Sequence, residues 1–434
     1  MPNLTLSPII GDSLTPSPTL YINERVKAMW AAGETVYHLG FGESRFPVPA
    51  KMRQALADNA HRNSYLPGLG IPELRQTAAR YYSQKLNIHA EASQVMVAPG
   101  SKALLYAMNM ALDGDVILPT PSWVSYAPQA QLLGKPILRI PADPAQHHRL
   151  SLDAFAETLA QSTARQHVMV INSPNNPSGG LLSGEELRAL ADFCRANQVI
   201  VLSDELYGLI PHTGKRHHTL AEFYPEGTVI LSGLSKHLSL GGWRLGLAIV
   251  PAGEMGQRLL AAANKIGSEI WSCAPAPMQY AALTAYSGDP EIESFVADSV
   301  HLHTVRTRYL WEQISELDID CAEPSGGFYL FPNFDQWKPR LAQKGIHTSD
   351  DLARHLLDEW QIATLPGSVF GTPPQELSLR LSASYLDMET EGQAQTILDL
   401  HRSGLPSDEL VRHHQPHTQA AIGQMKAFIA SLSA

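Results

Sequence analysis

Only three cysteines, Cys194, Cys273 and Cys321, stand in a chain of 434 residues. They are too few and too far apart for a disulfide framework or a zinc site, which agrees with a reducing compartment. Basic charge is short as well: 32 Lys and Arg face 42 Asp and Glu, a formal net charge of −10. Nothing general therefore draws the chain towards nucleic acid or anionic lipid, although local basic sites for small anions stay open. No stretch approaches the ~20 apolar residues of a membrane span. The N-terminal MPNLTLSPIIGDS has no basic segment followed by a long apolar core, so we expect a soluble, cytoplasmic protein. Internal repeats, a P-loop and a basic stripe with interleaved aromatics are also missing. Four histidines, His401, His413, His414 and His417, make a poor metal set because Pro416 interrupts their helical spacing and no acidic or cysteine partner completes it.

With 44% hydrophobic and 17% charged residues the composition is globular, and the length suggests two or three domains. Residues 228 to 251, TVILSGLSKHLSLGGWRLGLAIVP, organise the rest. Two apolar runs, Thr228 to Leu231 and Leu245 to Val250, read as buried strands flanking a polar, glycine-containing loop. Lys236 lies in that loop directly after Ser235, with Arg244 further on. A solvated surface lysine is the ordinary reading. The other is an amine that forms a Schiff base with an aldehyde cofactor, its neutral form favoured by a cationic neighbour. Pyridoxal phosphate supplies both that aldehyde and a phosphate for Arg244 to grip.

Other strand ends offer what such a cofactor needs. Leu39 to Pro49, LGFGESRFPVP, is either a plain turn or a strip of backbone donors around Gly42 facing a small ligand. Tyr65 sits in a loop before a helix that begins at Pro72, by default a packing residue. Strand Val95 to Ala98 runs through Pro99-Gly100-Ser101-Lys102 into a helix from Ala103 to Leu112, whose unpaired N–H groups and dipole suit an anion. Trp123 follows another strand, where it either packs or stacks on a flat ring. Strand His167 to Asn172 ends in NSPNNPSGG, which fixes the amide of Asn176 beside the sheet edge. Strand Val199 to Ser203 delivers Asp204 and Tyr207. A strand-end aspartate is often a turn former; a buried one must find a cation, and a protonated pyridine nitrogen is one. Tyr207 then reaches the phenolic oxygen of the same ring. Arg380, mid-strand in LSLRLSAS, points either to solvent or into a cleft towards a carboxylate.

Helices and strands alternate from about 73 to 250, the pattern of a mostly parallel sheet covered on both faces. A smaller α+β unit follows, with helices expected over Glu291 to Ser315, Asp350 to Trp360 and Thr418 to Leu432, while 387 to 416 shows no clear core pattern. We divide the chain into an N-terminal segment, 1–60, that packs with the small domain, a large cofactor-binding domain, 61–297, and a small C-terminal domain, 298–434.

The motifs SGLSKHLSLGGWRLG, NNPSGG, DELY, PGSK, PSWVSY and RLSAS, in this order, resemble the class I/II pyridoxal-phosphate aminotransferases of the aspartate aminotransferase fold, fold type I, over roughly 22 to 386. The resemblance implies that Lys236 is the Schiff-base lysine and proton shuttle, and that Arg244, Ser101 and Lys102, together with Ser235, hold the phosphate. It implies Asp204 on the pyridinium, Tyr207 and Asn176 on the ring oxygen, and Trp123 stacked on the ring. Arg380, with Gly42 and Asn176, is implied at the substrate carboxylate. Tyr65 matches a residue that reaches the phosphate of the neighbouring subunit, which implies a homodimer. Two departures stand out: Gly233 replaces a frequent serine, and the frequent Gly-Glu-Pro-Asp reads Gly42-Glu43-Ser44-Arg45. The implied reaction is ping-pong transfer of an amino group from an L-amino acid to a 2-oxo acid. Carbon–sulfur β-elimination on the same scaffold is the nearest alternative, and a non-catalytic binding protein of this fold is a further one.

Overall fold

The computed structural model describes residues 4–8, 14 and 16–433. Twelve strands occur among them: β1 (Tyr37–His38), β2 (Val95–Ala98), β3 (Asp115–Pro119), β4 (Ile137–Ile140), β5 (His167–Asn172), β6 (Val199–Asp204), β7 (Thr228–Gly233), β8 (Gly246–Ile249), β9 (Tyr329–Leu330), β10 (Ile362–Ala363), β11 (Leu365–Pro366) and β12 (Leu379–Ser382). Seven of these form one sheet in the order β2-β8-β7-β6-β5-β3-β4. Only β8 runs against its neighbours β2 and β7; the other pairs are parallel.

Most of these short runs are apolar on both sides and are buried, the edge strand β2 included. Val95–Ala98 and Gly246–Ile249 are buried at every position. The two-residue period sorts the side chains between two layers. Met96, Val116, Leu118, Val168, Val170, Leu202, Val229 and Leu231 pack with Leu104 and Met108 of the helix Ser101–Ala111 and with Leu259, Leu260 and Ala263 of the helix Gly253–Ile270. On the opposite face, Ile117, Met169, Ile171, Val199 and Val201 meet Leu187, Leu190 and Ala191 of the helix Gly184–Ala196, which starts with a Ser183/Glu186 capping box. The sheet is thus buried twice over, and its carboxyl edge is the open rim where loops deliver side chains.

A second sheet, β11-β12-β9, is antiparallel, and β1 pairs with β10 in parallel. The helix Pro290–Ser315 runs unbroken across the boundary expected at 297/298. The stretch 387–416, without a pattern in the sequence, contains the helices Glu391–Arg402 and Ser407–His413. The first opens with a Thr390/Gln393 capping box and buries only Ala394, Ile397 and Leu398, an apolar face too narrow to stand out in a polar composition. Among the described residues no helix is long and apolar enough to cross a membrane.

Candidate active site

Most of the singled-out side chains converge on one cavity of about 300 Å³ at the carboxyl edge of the large sheet. Its wall includes Gly42, Ser101, Lys102, Trp123, Asn176, Asp204, Tyr207, Ser235, Lys236, Arg244 and Arg380. Each arrives on a predictable element: Ser101 and Lys102 at a helix start after β2, Trp123 after β3, Asn176 after β5, Asp204 at the end of β6, and Ser235 and Lys236 just after β7. Tyr65 is not part of this wall; it is 88% exposed on its own chain.

Lys236 is half-buried, and its amine donates to the Gly42 carbonyl at 2.8 Å. The rings of Tyr207 and Phe328 lie 5.5 and 5.6 Å from it. Asp204 is buried, yet among the described residues its carboxylate has no ion pair. Its Oδ2 accepts from the Tyr126 hydroxyl at 2.7 Å and its Oδ1 from the Leu206 N–H at 3.3 Å. Burial pushes its carboxyl up to about 6, against the pull of the Tyr126 hydroxyl and of Lys236. A lone carboxylate facing a cavity has a desolvation cost that a cationic ligand relieves.

Arg380 is only 1% exposed, which decides between the two readings of its strand: it points inward. Nη1 donates to Asn176 Oδ1 at 3.1 Å and Nη2 to the Gly40 carbonyl at 2.6 Å, while Nε is buried with no partner among the described residues. Tyr329 and Phe370 rings flank the guanidinium at 4.7 and 5.2 Å. An arginine held this way keeps donor capacity for a ligand carboxylate.

At the other end of the cavity Arg244 adopts a left-handed backbone (φ 55°) and lies against Gly100. A Cβ at Gly100 would fall 2.5 Å from Arg244 Nη2, and one at Gly246 would fall 2.1 Å from the Ser101 nitrogen. The two glycines let strand, guanidinium and helix N-terminus approach to form a cup for an anion. Gly233 has a similar cause: as the last residue of β7 it pairs with Gly246, and a Cβ there would meet the Leu245 carbonyl at 2.7 Å. The neighbouring Ser232 is buried and accepts from the Tyr82 hydroxyl, so Ser235 is the serine left on the cavity wall.

Several participants were not singled out in the sequence. Tyr126 bonds to Asp204, and Asn172 donates to the Asp204 carbonyl at 2.7 Å while accepting from the Asn176 N–H. Tyr329 places its hydroxyl 2.9 Å from that of Tyr207 and donates to the Gly42 carbonyl at 3.3 Å. Tyrosines near strand ends read as packing residues, and no local signal separates these from the rest. Arg45 is not on the cavity wall itself; it donates to the carbonyls of Met388 and Glu389 and to Glu43, which is on that wall.

Comparison with known proteins agrees with this geometry. The family model described as aminotransferase class I and II matches residues 34–395. An aspartate aminotransferase of Geobacillus stearothermophilus is 34% identical over 389 residues, 87% of this chain and 95% of that one. An asparagine–oxo-acid transaminase of Streptococcus mutans is 29% identical over 389 residues, 87% and 94% of the two chains. Among solved structures, the aspartate aminotransferase of Rhizobium meliloti superposes with a TM-score of 0.81 at 27% identity, covering 99% of each chain. That of Thermus thermophilus with maleate gives 0.80 at 25%, covering 93% of this chain and 100% of the other.

The chain belongs to the class I and II aminotransferases, and it is a transaminase of fold type I. Membership implies the use of pyridoxal phosphate. The residues present suit that group: an unpaired buried carboxylate for a cationic ring nitrogen, an amine within the same cavity, and a glycine-lined cup beside an arginine for the phosphate.

Proposed function

We propose that this cavity seats pyridoxal 5'-phosphate and catalyses ping-pong transfer of an amino group from an L-amino acid to a 2-oxo acid, with a dicarboxylic amino acid as the donor. The observation that carries the reading is the pairing, in one cavity, of Asp204, a buried acid without a cation, with Arg380, a buried cation with a free donor. The dicarboxylic substrate is supported by the printed names of the relatives, most of them aspartate aminotransferases.

The cofactor, when bound, supplies an electron sink for the charge left when the Cα proton departs. The chain's own groups do the rest. Lys236 would be the amine that attaches the cofactor and, once freed by substrate, would take the Cα proton and deliver it to the former aldehyde carbon, which leaves the substrate at the level of the 2-oxo acid. Asp204 would keep the ring nitrogen charged, Tyr207 and Asn176 would serve the ring oxygen, and Trp123 would stack on the ring. Ser101, Lys102, Ser235 and Arg244 would hold the phosphate. Arg380, with Asn176 and Gly42, orients the substrate carboxylate so that the Cα proton lies towards Lys236. Tyr65 completes the phosphate site of a second copy in a homodimer, a role its 88% exposure allows. We also propose a division into a large cofactor-binding unit, 61–297, and a small unit, 298–434, with the segment 1–60 packing with the latter.

Lys236→Ala tests the assignment. Amino-group transfer is expected to fall below detection, and borohydride is expected to fix cofactor to the parent chain and not to the variant. Substantial transfer by the variant would refute the role. Release of ammonia and pyruvate from a cysteine conjugate without any 2-oxo acid acceptor would favour elimination instead.

A further inference from the structure

The departure at Ser44 has a structural counterpart in a closed ring of contacts around Lys236. Ser44 is buried, and its Oγ lies 2.6 Å from Ser239 Oγ and 2.9 Å from His303 Nε2. Ser239 belongs to the lysine loop: its N–H donates to the Lys236 carbonyl at 3.3 Å, and its backbone is left-handed, φ 56°. Two residues before Ser44, the Gly42 carbonyl accepts from the Lys236 amine at 2.8 Å. Strip and loop are therefore tied twice, once through the reactive side chain and once through two hydroxyls.

The tie is anchored on the helix Pro290–Ser315. His303 is fully buried between Phe46 and Phe328, at ring distances of 5.0 and 4.8 Å. Burial holds its imidazole well below the ordinary range, so it is neutral and has one donor and one acceptor to offer. One turn earlier, Ser299 donates to the His237 carbonyl at 3.2 Å, a second attachment of the same helix to the lysine loop. A proline at position 44, the residue frequent in the related motif, has no hydroxyl with which to make either contact.

We propose that Ser44 is a positioning residue for Lys236: through Ser239 and His303 it fixes the 42–45 strip so that the Gly42 carbonyl holds the lysine amine in line for proton transfer. It touches neither substrate nor cofactor in this proposal, which rests on the assignment of Lys236 as the proton carrier. A misplaced proton carrier slows the step it performs without weakening substrate binding, so the effect falls on kcat.

The test uses holoenzyme of the parent chain, Ser44→Ala, Ser44→Thr and Ser239→Ala. For Ser44→Ala and Ser239→Ala, kcat is expected to fall about tenfold, a barrier increase of about 1.4 kcal/mol, with KM for the amino acid within about twofold. Ser44→Thr, which keeps the hydroxyl, is expected to retain most of the rate. Hydrogen exchange of the peptide covering 41–46 is expected to quicken in both alanine variants and not in Ser44→Thr. Unchanged kcat in both alanine variants overturns the proposal, as does a loss carried by KM, or slow exchange over 41–46 as in the parent. Ser239→Ala keeps the question open to experiment if Ser44→Ala fails to fold. A parent holoenzyme that shows no Lys236 attachment to the cofactor after borohydride would bring down the underlying assignment, whereas parent attachment with unaltered variants would bring down only this one.

Discussion

Among the described residues two arginines are buried without a carboxylate partner, and they are treated in opposite ways. Arg306, in the helix Pro290–Ser315, has every nitrogen occupied: Nε by Gln415 Oε1 at 3.2 Å, and the two Nη groups by the Met388 sulfur and the Leu386 carbonyl. It ties the C-terminal segment to the long helix. Arg380, in β12, has its two Nη groups occupied and its Nε left over beside a cavity. Both guanidinium groups are held below their ordinary range by burial, Arg306 at about 10. Burial and charge alone therefore do not separate a structural arginine from a binding one; the unspent donor does.

Removing each arginine is the strongest way to break that comparison. Arg380→Ala is expected to lower kcat/KM for the amino acid by at least about a hundredfold, roughly 3 kcal/mol, the cost of truncating a buried charge that pairs with a ligand. Its melting temperature should move little, because the cavity beside it admits water. Arg306→Ala should do the reverse, costing about 3 kcal/mol of stability through unpaired acceptors and a void while leaving kcat/KM within about threefold. Steady-state kinetics and thermal melts of both variants check this. A kinetic collapse in Arg306→Ala with normal melting would erase the distinction.

How legible this was in the sequence follows from the same contrast. Lys236, Asp204, Asn176 and Ser101 were readable because each ends a short apolar run, and a buried strand followed by polar residues places those residues at the sheet rim. The inward direction of Arg380 was not, since flanking Leu379 and Leu381 suit either face and its occupants, Gly40 and Asn176, are remote in sequence. Nor was the reversal of β8: two apolar runs joined by a twelve-residue loop, Leu234 to Leu245, permit either direction, and only the pairing with β2 and β7 decides. The helices Glu391–Arg402 and Ser407–His413 were hidden because most of their surface is polar and only one narrow face packs, whereas the last helix, expected over Thr418 to Leu432, is present as Pro416–Ser433.

Adjacent carboxylates at the end of β6, Asp204 and Glu205, repeat the comparison with the opposite charge and sharpen it through pH. Glu205 is fully engaged: Ser203 and Thr219 hydroxyls donate to Oε1 at 2.8 and 2.5 Å, and His217 Nε2 lies 3.1 Å from Oε2. Asp204 has two neutral donors and a carboxyl raised to about 6 from 3.8, first by burial. With the folded value above the unfolded one, the folded chain binds more protons between pH ~4 and ~6. Cofactor-free protein should therefore lose stability as pH rises through that window, by up to about 3 kcal/mol. Asp204→Asn should flatten this part of the profile, as should saturating cofactor, whose cationic ring favours the ionised acid. A cofactor-free profile that rises through the same window would show that Asp204 is already satisfied within the chain.

The smallest effect concerns the donor that partly compensates Asp204. Tyr126 is fully buried and contributes its hydroxyl to Oδ2 at 2.7 Å, so it steadies the charged form that a cationic ligand needs. Tyr126→Phe keeps the ring packed against Trp123, 5.3 Å away, and deletes only that hydrogen bond. The acid then becomes harder to ionise, and the window just described should shift upward in pH. Cofactor affinity should fall about fivefold, on the order of 1 kcal/mol for one hydrogen bond to a charged acceptor, with KM for the amino acid unchanged. Equal losses in cofactor and amino-acid binding would mean that Tyr126 shapes the cavity as a whole. A loss confined to the cofactor would place it, with Asp204, on the side of the groups whose capacity is kept for a ligand.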